Sequence, residues 1–144
     1  MTELRNTLAT SHAMNPASPA FLRMTLLLDA VASGATALLV LAATGSLAEL
    51  LALPAVLLRG AGLVLIPYVA FVGYLGMRDR APRVAVWIVI VANVAWAAAS
   101  LLLLVSGWVA PSALGYAFVI GQALVVAAFG ELQYVALRRQ TAVA

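Results

Sequence analysis

The chain of 144 residues contains no cysteine. Disulfide scaffolds, thiolate metal sites and thiol nucleophiles are thereby excluded. Its single histidine, His12, lies in a polar N-terminal tail, so histidine-based zinc sites and haem ligation from within a buried helix are not expected. Charge is scarce as well: 9% of residues are charged, against about 25% in an average soluble domain. Hydrophobic residues make up 65%, against about 45–50%. A soluble globule of this size could not cover its surface with so few polar groups. Disorder fails on the same figures, because disordered chains are apolar-poor and charge-rich. Lysine is absent, and the 8 basic residues are all arginines.

The net charge of +3 does not point to nucleic acid. The arginines sit at the ends of long apolar runs, a pattern of membrane topology rather than of phosphate tracking. A bilayer core about 30 Å thick needs roughly 20 apolar helical residues to cross it. Four such runs are present, at about 21–43, 54–77, 84–105 and 112–137. They are too long for barrel strands and lack the two-residue alternation that strands show. The fold class expected is therefore all-α: a polytopic membrane protein with a four-transmembrane-helix bundle over residues 21–139. Residues 1–20 read as a flexible cytoplasmic tail and 140–144 as a short C-terminal one. The first run is longer than the apolar core of a signal peptide and follows about twenty polar residues, so it is read as a span.

Arg5 and Arg23 precede span one, Arg78, Arg80 and Arg83 lie between spans two and three, and Arg138 and Arg139 follow span four. With an even number of spans these fall on one side, and Arg59 alone falls on the other. The positive-inside rule then expects both termini in the cytoplasm of a cell whose inner (plasma) membrane holds the protein. The link Ser106–Pro111 is short, so spans three and four should be antiparallel neighbours. Between spans one and two, Ser46-Leu47-Ala48-Glu49 fits a capping box. Residues 46–53 are read as a short interfacial helix with Leu47, Leu50 and Leu51 on one apolar face, ended by Pro54. The alternative is a simple extension of a span. Glu49 and Arg59 could pair at this outer interface.

Polar groups inside a bilayer are costly and each asks for a reason. Asp29, Tyr68, Asn93 and Gln122 come from four different spans. Asp29 lies roughly 12 Å into span one, at 1.5 Å per residue. Thr25, Asp29, Ser33 and Thr36 share one helical face. In span three, Asn93, Trp96 and Ser100 share a side. The candidate site is thus a cluster of Asp29, Ser33, Tyr68, Asn93, Trp96 and Gln122. It would serve either as a ligand-binding or protonatable pocket or as interhelical hydrogen bonding that holds the bundle together. A carboxyl group accepts hydrogen bonds and, when protonated, donates one, so Asn93, Tyr68 or Gln122 would suit Asp29 as partners. Glu131 is expected to snorkel towards Arg138 or Arg139. Small-xxx-small pairs at Ala30/Gly34 and Ala117/Gly121, with Gly62, Gly73 and Gly76 on one face of span two, mark candidate packing surfaces. No phosphate loop, Ser–His pair or paired-carboxylate motif is present, so the sequence carries no enzyme, metal or cofactor signal.

The stretches Asn93–Ser100, Ser106-Gly107-Trp108 and Gly130-Glu131-Leu132-Gln133-Tyr134 resemble those of small uncharacterised four-span integral membrane proteins of bacteria with GC-rich genomes. The resemblance implies architecture and no catalytic activity. Two functions fit these residues. The first is a non-enzymatic membrane protein, either an accessory subunit or a binder of a small lipophilic ligand, with membrane lipids and a membrane-protein partner or a second copy as its company. The alternative is a small proton-coupled transporter acting as a homo-oligomer, with Asp29 as the proton carrier. It would be similar to small multidrug exporters in size, span number and the acid in its first span, although the one-sided arginines argue against the dual topology those exporters tolerate.

Overall fold

The computed structural model describes residues 1, 3–7 and 15–143. His12 lies, with residues 2 and 8–14 of the tail expected to be flexible, outside the described residues, and residues 3–7 form a helical turn. Five longer helices follow: α1 (Pro19–Ala42), α2 (Thr44–Leu51), α3 (Ala55–Met77), α4 (Arg83–Val105) and α5 (Ala113–Val143). Among the described residues there is no strand, and α1, α3, α4 and α5 are each long and apolar enough to cross a membrane. Helix is the form such runs take in a bilayer, because every backbone group then finds its partner within the segment. The protein is an all-α four-span bundle with one short extra helix. α5 runs on through Arg138 and Arg139 to Val143, so the C-terminal segment continues span four.

The starts of two spans are set by local chemistry. Ser18 caps α1, its Oγ accepting from Phe21 N at 3.1 Å, with Pro19 at the first helical position. Ser112 caps α5, its Oγ accepting from Gly115 N at 3.1 Å. The same hydroxyl donates to Leu50 O at 2.8 Å, and Ser112 N donates to Leu51 O at 3.0 Å. One serine therefore closes the N-terminus of span four and takes up carbonyls left open at the end of α2.

α2 departs from the capping-box expectation. It begins at Thr44, so Ser46 lies inside the helix and makes no cap. The chain bends at Ala43 (φ −116°, ψ 25°), and Thr44 Oγ1 donates back to Val40 O at 2.6 Å, which lets the new helix start two residues early. The expected leucine face is also divided: Leu51 is 2% exposed and Leu50 57%. The helix ends on Ala52 in the left-handed region (φ 51°).

α1 packs most extensively on α3, α4 on α5, and α1 also contacts α5. α1 is the most buried of the four spans. α3 and α4 meet only along a weak seam. Close approach of α1 and α3 depends on glycine: a Cβ on Gly76 would lie 2.8 Å from Leu27 Cδ2, and one on Gly62 2.7 Å from Leu41 Cγ. Ala30 and Gly34 face this same contact, against Gly73 and Val69. The Ala117/Gly121 pair does not mark a packing surface. Ala117 is exposed and nothing lies within 4 Å of a Cβ built on Gly121. Span four packs through Gly115 and Gly130 instead, beside Leu51 and Asn93 respectively.

Two apolar clusters occupy the bundle. One lies towards the arginine-rich end, with Leu26, Val72, Leu75, Val86, Val89 and Leu137. The other lies towards the α2 end, with Val40, Leu51, Leu53, Leu58, Val109 and Val119.

Candidate functional site

Between the two clusters lies a polar layer, and its centre is Asp29, 0% exposed. Asp29 Oδ1 accepts from Ser33 Oγ at 3.1 Å, one turn along α1. Its Oδ2 faces Tyr68 OH of α3 at 2.9 Å, Asn93 Nδ2 of α4 at 2.8 Å and Gln133 Nε2 of α5 at 2.8 Å. One carboxyl group thus gathers a side chain from each of the other three spans. Asn93 Nδ2 also donates to Gln133 Oε1 at 3.3 Å. Gly130, one turn before Gln133, admits α4 here, since its Cβ position is 3.3 Å from Asn93 Cβ. No buried side-chain nitrogen or oxygen among the described residues lacks a partner.

Tyr68 carries one hydroxyl hydrogen but faces two acceptors, Asp29 Oδ2 and Asn93 Oδ1, the latter at 2.8 Å. One hydrogen cannot fill both contacts. The Tyr68 hydroxyl is thus shared between Asp29 of α1 and Asn93 of α4. The Tyr68–Asn93 contact also bridges the weak seam between α3 and α4 at this level.

Of the expected cluster, Asp29, Ser33, Tyr68 and Asn93 come together, while Gln122 and Trp96 do not join them. Gln122 Oε1 accepts from Trp96 Nε1 at 2.9 Å, and Gln122 Nε2 donates to Ser100 Oγ at 2.8 Å. The position in this layer that was expected for Gln122 belongs to Gln133, 0% exposed, which sequence reasoning missed. Gln133 follows Gln122 by 11 residues (133 minus 122) on nearly the same helical face. Those residues separate the two by roughly 16 Å along the axis, so one helix feeds two polar groups at different depths. The three-turn spacing was the available signal, masked by the neighbouring Glu131 and the nearby arginines.

The second polar group lines a cleft of about 250 Å³ towards the α2 end of the bundle. Apart from Thr36 its walls are otherwise apolar, with Val40, Leu58, Leu65, Leu103, Phe118 and Val119 among them. The cleft stands directly on the Asp29 layer: Thr36, Leu65 and Trp96 in its wall are one turn from Ser33, Tyr68 and Asn93. All four spans line it, with α3 and α4, which meet only weakly, forming much of the wall.

The outer pair does not form. Glu49 and Arg59 are both exposed and make no ion pair, since nothing in the packing holds either side chain against the other. An ion pair forms at the opposite end, Arg23 to Asp79 at 3.3 Å, where Arg23 Nε also donates to Gly76 O at 3.4 Å. Glu131 is exposed and makes no ion pair; Arg138 turns to Tyr134, 5.7 Å from its ring centroid, and Tyr134 packs edge-on to Trp87 at 5.6 Å.

Four apolar helices of membrane-crossing length define the class, a multi-pass helical membrane protein. Comparison with protein-family models, with curated proteins and with solved structures finds no match to the chain.

Proposed function

We propose that the protein is a non-enzymatic, multi-pass protein of a bacterial inner membrane that binds a small lipophilic ligand inside its bundle. It would act alone, as a homo-oligomer, or as the accessory subunit of a membrane-protein partner. The observation that carries this reading is the cleft of about 250 Å³, lined mostly by apolar side chains from all four spans, with Thr36, Trp96, Ser100 and Gln122 as its polar groups. Ligand sites of this kind are concave and mostly apolar, with few polar groups to set orientation, and typically measure about 300–1,000 Å³. A cleft slightly below that range suits a short chain or a small ring rather than a whole phospholipid. The weak seam between α3 and α4 beside it suits entry from the bilayer. Native mass spectrometry from mild detergent tests the reading. A stoichiometric lipophilic adduct is expected, and a chain that sheds only detergent and bulk phospholipid would sink the idea.

A second reading has its own observation. Asp29, a carboxyl group fully buried among side chains of the other three spans, suits a proton-coupled transporter, working as a homo-oligomer with Asp29 as carrier. It expects substrate-driven proton release from proteoliposomes, abolished in Asp29→Asn. Release that persists in that variant would remove Asp29 from the path.

A further inference from the structure

The chemistry of the cleft wall narrows the ligand. Gln122 uses one lone pair of Oε1 for Trp96 Nε1 and one hydrogen of Nε2 for Ser100 Oγ. Its second amide hydrogen and second lone pair have no partner among the described residues. Ser100 Oγ is itself committed, donating to Trp96 O at 2.8 Å, and Thr36 Oγ1 donates within its own helix to Ala32 O at 2.9 Å. The polar side chains of the wall thus keep one free donor, on the Gln122 amide, with free acceptor lone pairs on Gln122 Oε1 and on the Thr36 and Ser100 hydroxyl oxygens. No charged side chain lines the cleft.

Resting on the lipophile-binding reading above, we propose that the ligand is a neutral lipophile with one hydrogen-bonding head, a hydroxyl or carbonyl, which docks on Gln122 while its hydrocarbon lies among the leucines of α3 and α4. A carboxylate or ammonium head would be stripped of water with no counter-charge to meet it, which is costly in a low-dielectric site. A pure hydrocarbon would fill the cleft but leave the amide unanswered. A hydroxyl both donates and accepts, and so satisfies both free positions of Gln122.

Trp96 reports on this site from within the wall. The experiment uses full-length protein with Trp87→Phe and Trp108→Phe, reconstituted in phosphatidylcholine vesicles, so that Trp96 is the only fluorophore of its type. Three contact quenchers of equal chain length are added: ω-brominated decanol, brominated decane and ω-brominated decanoic acid. Ala61→Phe, which fills the cleft, gives the quenching due to partition into lipid alone. Saturable quenching is expected to be strongest for the alcohol, at about fivefold lower concentration than for the hydrocarbon, the scale of one net hydrogen bond. Gln122→Leu should erase that difference while both compounds still quench. Equal quenching by alcohol and hydrocarbon in the unsubstituted cleft, or tightest binding of the acid, overturns the assignment of the head group and leaves a lipophile cleft standing. Quenching that never exceeds the Ala61→Phe background, with any of the three, overturns the cleft itself.

Discussion

At the residue scale the molecule turns on Asp29. A carboxyl in a bilayer is tolerated only where its oxygens are occupied, and here Ser33, Tyr68, Asn93 and Gln133 occupy them. Asp29→Asn keeps size and hydrogen-bonding capacity, and its thermal stability in detergent is expected to stay near that of the parent. Asp29→Leu strands four partners at once. At about 0.6 kcal/mol for each interhelical bond in a membrane, a loss of about 2 kcal/mol is expected in reversible unfolding. Equal stability of the leucine and asparagine variants would mean that the layer does not hold the spans together. Gln133→Leu should cost about 1 kcal/mol on the same scale, whereas Glu49→Gln should stay within about 0.5 kcal/mol, because that side chain is exposed and has no ion partner. Asp29, Tyr68 and Asn93 were legible from sequence because each is a strongly polar group deep within an apolar run. Gln133 was not, because beside Glu131 and five residues from Arg138 it looked like part of the polar end of the span.

At the scale of elements, the four spans were legible because a long run with almost no charge has one physical outcome in a bilayer. The links were less so. Ser46 and Glu49 have capping-box spacing, yet the bend at Ala43 moved the start of α2 to Thr44. The cap that matters is Ser112, whose second partner, Leu50 O, is 62 residues away in sequence. No local pattern announces a bond of that range. Ser112→Ala should lower stability by about 1 kcal/mol, the usual cost of an N-cap, in thermal melts followed by circular dichroism. Gly115→Ala should cost more, since the added methyl meets the Leu51 backbone carbonyl rather than a yielding side chain. A Gly115→Ala protein as stable as the parent would contradict the contact between α2 and span four.

For the whole molecule, topology and the cleft are the two claims. The one-sided arginines expect the α3–α4 link in the cytoplasm and the α4–α5 link outside. Single cysteines at Arg80 and Ser106, both exposed, should answer this in intact cells: an impermeant thiol reagent should label position 106 and spare position 80. The reverse pattern would invert the orientation. The bundle itself is tied together at Asp29, and one turn further on its four spans line the cleft. Sequence could place polar residues at depth but could not show this cleft, which arises from how four helices lean rather than from any one of them. The most direct measurement is the native mass of the unsubstituted protein beside that of Ala61→Phe, both purified in the same mild detergent. The account predicts a lipophilic adduct on the first that is lost from the second, with the same oligomeric state in both. An adduct retained in equal amount by the cleft-filled protein, or no adduct on either, would contradict it.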